Sequence, residues 1–212
     1  MSGLRPILRP LKTNQKLRLL SFLVFSIFHL QIVKASSDSP DGMVHIHLGM
    51  VSGNYSGPAQ TSFSVPQAIN FEYEFLNSNK STNYIRSLMA FDANKGRLVY
   101  FLNSFGFRQY ANSNAKLYSF SRNGESFSLA PKVRYFYGAD VGISQVVVQT
   151  LGTVLQATST MFDLGAHIGA SYHLKPNWAF EIVGGYSYGY GFSTVAVTGT
   201  TMRIMFGGSY YY

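Results

Sequence analysis

Apolar and polar residues alternate along most of this chain after residue 42, and the clearest example is the stretch 201–212. In an extended strand, Met202 and Phe206 fall on one face of this stretch, while Thr201 and Arg203 fall on the other. A strand with two such faces needs an apolar medium on one side and a polar interior on the other. The pattern is typical of a strand in a transmembrane barrel.

The same alternation predicts seven earlier strands, so we expect an all-β chain that forms a single antiparallel transmembrane barrel of eight strands. An even number of strands would return both termini to one end of the barrel. The earlier strands are predicted at residues 44–51, 68–76, 83–92, 97–110, 132–144, 158–174 and 178–190. Stretches rich in Gly, Ser, Asn or Thr predict long loops, which would carry the variable surface chemistry, at 52–66, 145–157 and 191–197.

Residues 112–131 leave the number of strands open between eight and ten. Asn123-Gly124 lies between two short alternating segments, 116–121 and 126–130, and Asn-Gly in that position is a strong signal for a hairpin. The hairpin either lies outside the membrane or adds two strands to the barrel. Because both segments are shorter than the roughly 9–11 residues that a membrane-crossing strand needs, eight strands are favoured.

Residues 1–35 have the features of a secretory signal peptide. Five basic residues precede a mostly apolar run at 19–33, and Val33-Lys34-Ala35 offers small residues at the positions that a signal peptidase reads. The alternative is a retained membrane anchor, but the run is shorter than the ~20 apolar residues of a spanning helix. We therefore expect cleavage after Ala35, a flexible lead-in at 36–42, and a barrel at 43–212.

Composition and charge support this interpretation. The signal peptide contains six of the 17 basic residues and none of the nine acidic ones, so the excess of positive charge lies mainly in it and is no sign of nucleic-acid binding. The chain has no cysteine, which excludes disulfides and thiolate metal sites. A total of 17 Phe, 15 Tyr and 20 Gly with only 12% charged residues is typical of a sheet that contacts lipid.

The end of the chain resembles the C-terminal recognition signal of bacterial outer-membrane barrels. Gly207, Tyr210 and Tyr212 match its glycine and spaced aromatics, while Met205 stands where that signal usually has a polar residue. Together with the alternation and the signal peptide, these residues make the chain similar to the small OmpA/OmpX-type outer-membrane barrels of Gram-negative bacteria. The resemblance implies a monomer in the outer membrane, with lipid, the barrel-insertion machinery and periplasmic chaperones as its partners.

The alternation along each strand also assigns individual side chains to the lipid-facing side or to the lumen. We place Val99 in an outward apolar row, and we expect aromatics of the strand 178–190 to lie at the two membrane interfaces, namely Trp178, Tyr186, Tyr188 and Tyr190. Nine charged residues are expected in the lumen: Glu72, Glu74, Arg86, Arg108, Arg134, Asp140, Asp163, Glu181 and Arg203.

Two ion pairs are expected between neighbouring strands, one joining Glu181 to Arg203 and one joining Glu72 or Glu74 to Arg86. Such pairs could act as a gate, or they could fill the lumen permanently. An eight-stranded barrel is just wide enough to be filled by its own side chains, so filling is favoured over gating.

The histidines suggest two further kinds of site. His45 and His47 share one strand face, a spacing that can bind a metal when a third ligand converges, but no acidic partner is evident nearby in the sequence. We therefore expect hydrogen-bonding roles, with no metal and no cofactor. His167, Ser171 and an inward acid resemble the catalytic trio of lipid A deacylase barrels, yet parity places them in the lumen and the His-x-Ser spacing of that family is absent.

The sequence thus predicts a non-enzymatic protein with a structural or surface-interaction role. A porin-like narrow conduit for ions or small apolar solutes is the alternative, and a lipid-modifying barrel enzyme is a second one. The same barrel architecture serves all three functions, so the fold alone does not separate them.

Overall fold

The computed structural model describes residues 42–57, 61–78, 80–93, 96–114, 119–122, 125–128, 131–149, 156–175, 178–192 and 197–211. The predicted signal peptide, nearly all of the lead-in, and Tyr212 lie outside these residues. Within the described part, no helix is long and apolar enough to cross a membrane.

The described residues form ten strands: β1 Gly42–Ser56, β2 Thr61–Leu76, β3 Ser81–Asp92, β4 Arg97–Tyr110, β5 Ser119–Arg122, β6 Glu125–Ser128, β7 Val133–Gln149, β8 Gln156–Lys175, β9 Trp178–Gly191 and β10 Thr198–Tyr211. Eight of them form one closed antiparallel barrel in the order β1-β10-β9-β8-β7-β4-β3-β2. The barrel closes because β1 pairs with both β2 and β10.

The hairpin predicted within residues 112–131 is separate from the barrel. Strands β5 and β6 pair only with each other, from Ser119 opposite Ser128 to Arg122 opposite Glu125. Each has four residues, which is too few to cross a membrane. The prediction of eight barrel strands is confirmed, and the ten-strand alternative is wrong.

The barrel has an apolar outer face and a polar, filled interior. Along β10, Met202, Ile204 and Phe206 are exposed, whereas Thr201 and Arg203 are buried in the lumen. The other strands repeat this arrangement; on β8, for example, the Ile168 side chain is 70% exposed. A soluble barrel would bury its apolar side chains and expose its polar ones. This inverted arrangement is that of a barrel whose outer face contacts lipid.

The strands are longer than the sequence predicted, and the loops are shorter. Residues 52–56 and 61–66, predicted as part of a loop, continue the pairing of β1 with β2 as far as Tyr55 opposite Thr61. Likewise, Gln149 of β7 pairs with Gln156 of β8 inside the predicted loop 145–157. Polar residues beyond the bilayer still gain the hydrogen bonds of the ladder, so a loss of apolar alternation does not mark the end of a strand.

Val99 points into the lumen, contrary to prediction. The register of β3 with β4 shifts between Ala90, which pairs with Tyr100, and Phe91, which pairs with Leu98. The bulge inserts Val99 between these pairs, leaving its side chain only 4% exposed while Leu98 takes the outward position. A strictly alternating assignment fails at such a bulge.

The lumen contains two layers of different chemistry. We call the end of the barrel that carries Gly42 and Tyr211 the terminal end and the opposite end the loop end. The layer toward the loop end is an apolar plug, which includes Val51, Tyr55, Val65, Leu88, Tyr100, Leu102, Val146 and Met161. The layer toward the terminal end holds most of the buried charges described below.

Candidate functional site

Arg108 forms the centre of the charged layer. Its two terminal nitrogens make ion pairs with Glu72 and Glu74 on β2, and all three side chains are buried. The guanidinium also lies 4.2 Å from the centre of the Phe136 ring, where a cation–π contact forms. Glu74 additionally accepts a hydrogen bond of 2.7 Å from the Tyr110 hydroxyl. Arg108 therefore joins β4 to β2 across the lumen.

Asp140 is the second hub of the lumen. Its Oδ2 atom accepts hydrogen bonds from Arg86 Nη1 at 2.9 Å, from Arg203 Nη2 at 3.0 Å and from the Tyr84 hydroxyl at 3.0 Å. Arg86 also donates through Nε to Glu72 Oε2 at 3.0 Å, and these two residues are direct partners in the pairing of β2 with β3. The expected contact of Glu72 with Arg86 is thus present, and arginines from two strands meet on one carboxylate.

The expected pair of Glu181 with Arg203 does not form. Arg203 stands opposite Gly185 in the register of β9 with β10, while Glu181 stands opposite Gly207. Four residues of strand, roughly 13 Å, separate the two positions. Arg203 binds Asp140 instead. The two residues do lie on neighbouring strands, but their register could not be derived from the loop lengths.

Glu181 is instead the partner of two histidines. Its Oε2 atom lies 2.9 Å from His45 Nδ1 and 3.0 Å from His47 Nε2. The other ring nitrogen of His45 lies 3.0 Å from Glu74 Oε2, and Asn70 Nδ2 lies 3.0 Å from His47 Nδ1. This cluster supplies the converging acid that the sequence did not reveal, because Glu181 is more than 130 residues away along the chain.

Arg134 occupies the lumen at the terminal end. Its guanidinium donates to Ser113 Oγ at 2.9 Å, to the Asn114 carbonyl at 2.9 Å and to the Tyr211 hydroxyl at 3.1 Å. It also lies 3.8 Å from the centre of the Tyr110 ring. Arg134 therefore ties the chain segment after β4 to the last strand across the mouth of the barrel.

Asp163 binds hydroxyl groups beside the apolar plug. Its Oδ2 atom accepts hydrogen bonds from Ser144 Oγ at 3.1 Å and from the Tyr100 hydroxyl at 3.3 Å. All nine charged residues predicted for the lumen are buried. They divide into the groups around Arg108, Asp140, Glu181, Arg134 and Asp163.

His167 and Ser171 do not form a catalytic pair. His167 Nδ1 lies 3.3 Å from the Tyr84 hydroxyl and 3.7 Å from Asp140 Oδ2. Ser171 lies four residues further along β8, roughly 13 Å away by strand geometry, opposite Arg134 and Glu181. Both side chains are buried in the lumen, away from the lipid face. The resemblance to the deacylase trio therefore has no geometric support.

The predicted surface aromatics occupy the outer face. Trp178, Tyr186, Tyr188 and Tyr190 are all exposed along β9. Trp178 stands opposite Tyr210 on β10, and the ring centres are 5.0 Å apart. Gly207 on β10 stands opposite Glu181 on β9 and opposite His47 on β1.

A cavity of about 10 Å³ lies between the charged layer and the plug, lined by His47, Asn70, Glu72, Arg86 and Arg203 among others. That volume holds about one water molecule. Sequence reasoning missed Tyr84 and Tyr110, which contribute hydroxyls and ring faces to the network. The available signal was their spacing: Tyr84 lies two residues before Arg86 and Tyr110 two residues after Arg108, so each tyrosine shares the inward face of its arginine.

Comparisons with known proteins find similarity at the level of structure. No protein-family model and no curated protein sequence matches the chain. Neisserial surface protein A is similar over 81% of this chain and 97% of its own, with 15% identity and a TM-score of 0.47. The outer membrane protease OmpT from Escherichia coli is similar over 82% and 98%, with 9% identity and a TM-score of 0.44. For the N-terminal β-barrel domain of Pseudomonas aeruginosa OprF, the shares are 78% and 96%, with 10% identity and a TM-score of 0.41.

The architecture itself confirms the predicted likeness to the small OmpA/OmpX-type barrels. Eight antiparallel strands close on themselves, the outer face is apolar, and the lumen is filled with side chains, which are mainly polar and charged toward the terminal end and apolar toward the loop end. Such an inverted barrel is stable in lipid and is the architecture of bacterial outer-membrane proteins. The protein has the fold of a small barrel of the outer-membrane type.

Proposed function

We propose that the protein is a closed barrel with a structural or surface-interaction role, whose lumen is filled by side chains instead of conducting solutes. The observation that carries this proposal is the meeting of Arg86 and Arg203 on one oxygen of Asp140. These three residues come from β3, β10 and β7, so their contacts span the interior from three sides. A solute that passed through would have to separate buried ion pairs.

Two further features support a closed lumen. Arg134 occupies the terminal end through its contacts with Ser113 and Tyr211. At the loop end, the apolar plug packs side chains such as Leu88, Tyr100 and Leu102, which are completely buried. An ion would have to lose its hydration shell among these apolar side chains, which is costly. Removal of one ion pair would therefore leave other barriers in place.

In a closed barrel, the ends of the strands and the loops would make the contacts with partners. β7 and β8 contain 17 and 20 residues, several more than the roughly 9–11 needed to cross the bilayer. The paired strands therefore extend beyond the lipid. This extension would present residues near the loop end to the surroundings on a rigid support. A lipid-modifying enzyme is not favoured, because His167 and Ser171 are separated inside the lumen.

Swelling of proteoliposomes discriminates the closed barrel from a conduit. Vesicles that contain the purified protein are diluted into isotonic solutions of glycine, arabinose or potassium chloride, with a general porin as the positive control. We expect swelling at the rate of protein-free vesicles for every solute. Swelling that depends on the amount of barrel and on solute size would favour the conduit and exclude a closed lumen.

A further inference from the structure

We propose that His45, His47 and Glu181 form a binding site for a divalent transition-metal ion, Zn²⁺ being the best match, inside the lumen. The proposal goes beyond the structural role of the barrel and does not depend on it. The three side chains are buried, and one potential ligand atom of each lies within 4.8 Å of the others. Two imidazoles and one carboxylate are a ligand set that proteins use for zinc.

The strand register explains how ligands from two non-adjacent strands meet. His47 on β1 stands opposite Gly207 on β10, and Gly207 stands opposite Glu181 on β9. A Cβ atom at position 207 would lie 2.6 Å from the Cα atom of His47. With no side chain at Gly207, the Glu181 carboxylate reaches across β10 to both imidazoles.

The distances are close to those of a coordination sphere. His45 Nδ1 and His47 Nε2 lie 2.9 and 3.0 Å from the same carboxylate oxygen, Glu181 Oε2. Ligand atoms bound tetrahedrally at about 2.0–2.2 Å from zinc are separated by roughly 3.3–3.6 Å. The two nitrogens would therefore have to move away from the carboxylate oxygen by roughly half an ångström to open space for the ion. The imidazole rings are stacked with their centres 5.9 Å apart, and one nitrogen of each ring faces the same oxygen, Glu181 Oε2.

The surroundings also match those of metal sites, in which the second ring nitrogen of each histidine is held by a polar group. His45 Nε2 lies 3.0 Å from Glu74 Oε2 but makes no hydrogen bond among the described residues, so a small rotation of the ring would be needed to align it with that carboxylate. His47 Nδ1 faces the Asn70 amide, whose Oδ1 atom has no hydrogen-bond partner among the described residues. Exchange of the amide oxygen and nitrogen would let Asn70 accept from His47 Nδ1–H and leave Nε2 free for the metal.

The second carboxylate oxygen of Glu181 is also free to bind a metal ion. Glu181 Oε1 is buried and has no hydrogen-bond partner within the described part of the chain. A buried carboxylate oxygen without a partner is costly, and a metal ion would satisfy it through a second bond from the same carboxylate. Together with the two imidazole nitrogens, the two carboxylate oxygens would give the four donor atoms of a four-coordinate site.

The test uses the protein without its predicted signal peptide and without a histidine tag, refolded into detergent micelles in the presence of Co²⁺ or Zn²⁺. Loading during refolding avoids the need for an ion to enter a closed barrel. After gel filtration, metal content is measured by elemental analysis and the cobalt site by its visible absorption. We expect about one ion per protein and the intense absorption bands of four-coordinate cobalt.

Three variants assign the ion to this cluster. His47→Gln and Glu181→Gln should each lower the affinity at least tenfold, because every ligand counts in a three-ligand site, whereas His173→Gln, outside the cluster, should bind as the wild type does. Gel mobility before and after heating verifies that each variant folds. If a variant does not fold, metal binding is tested on the wild type alone. Its unfolding midpoint should then rise as the metal concentration is raised. Wild-type protein that retains no metal, or an undiminished affinity of folded His47→Gln, would overturn the proposal.

Discussion

Tyr84 on β3 stands directly opposite Gly106 on β4, and its ring covers the space that a side chain at position 106 would occupy. A Cβ atom at Gly106 would lie 2.5 Å from the Tyr84 hydroxyl and 2.6 Å from the Ala139 carbonyl. The ring cannot simply move aside, because its hydroxyl binds Asp140. Glycine at position 106 is thus a packing requirement of the filled lumen.

Gly106→Ala should therefore destabilise the barrel by about 1–3 kcal/mol, the usual cost of overpacking a well-filled interior. Gly184→Ala is the matched control, because a Cβ atom there would have no neighbour within 4 Å. Urea unfolding in detergent or lipid vesicles measures both variants. Equal stabilities of the two variants would contradict a tightly packed lumen.

Arg108→Met should be among the most damaging single changes in the protein. It removes the arginine that pairs with both Glu72 and Glu74 inside the lumen. Glu72 keeps its contact with Arg86, but Glu74 is left without an arginine partner among the described residues. Breaking a buried ion pair from one side costs about 3–5 kcal/mol. The control is Lys175→Met at the exposed end of β8, where we expect a change of less than about 0.5 kcal/mol. A loss below about 1 kcal/mol for Arg108→Met would show that the network is not structural.

Trp178 and Tyr210 should stabilise the barrel as a pair on its outer face. Their rings are 5.0 Å apart on adjacent strands, and aromatic pairs contribute about 0.5–1.5 kcal/mol beyond their burial. A double-mutant cycle with both residues changed to Ala should report a coupling energy in that range. The cycle of Trp178 with Tyr190, at the opposite end of β9, should report none.

The outer face and the number of strands could be predicted from the sequence, because period-two alternation has a direct physical cause at the lipid boundary. Met202, Phe206 and Arg203 lie on the predicted faces. Val99 does not, since a bulge shifts the parity without any mark in the sequence. The strand ends were also misplaced at residues 52–56, where the outward side chains are polar and no longer continue the apolar row of the outer face.

The contents of the lumen could be predicted, but of its connections only the pair of Glu72 with Arg86 on neighbouring strands was predicted correctly. Burial of Glu181 and Arg203 follows from parity, yet their partners depend on register and on contacts across the barrel. Arg203 reaches Asp140 on β7, and Glu181 reaches His45 on β1, so neither binds a residue of an adjacent strand. Such contacts require the closed barrel, which only the three-dimensional structure supplies.

Deletion of Tyr212 tests the predicted C-terminal assembly signal. If Gly207, Tyr210 and Tyr212 are read by the barrel-insertion machinery, the deletion should impair assembly in cells far more than it changes stability. We expect periplasmic accumulation and proteolysis of the variant, with near-normal folding into detergent micelles, because one aromatic contributes a few kcal/mol at most (about 1.5–3). Equal amounts of variant and wild type in the outer membrane would show that the match to the signal is accidental.

The most direct test of a closed lumen is the current through the wild-type barrel in a planar lipid bilayer. Insertion is verified independently by heat-modified gel mobility of the same preparation and by protease protection in vesicles. Arg86 and Arg203 are held on Asp140, and the apolar plug lies between them and the loop end. We therefore predict a current that stays at the baseline of the bare membrane across ±100 mV, a range in which the voltage supplies at most roughly 2.3 kcal/mol to each elementary charge that crosses. Reproducible discrete conductance steps from the folded wild-type protein would contradict the account.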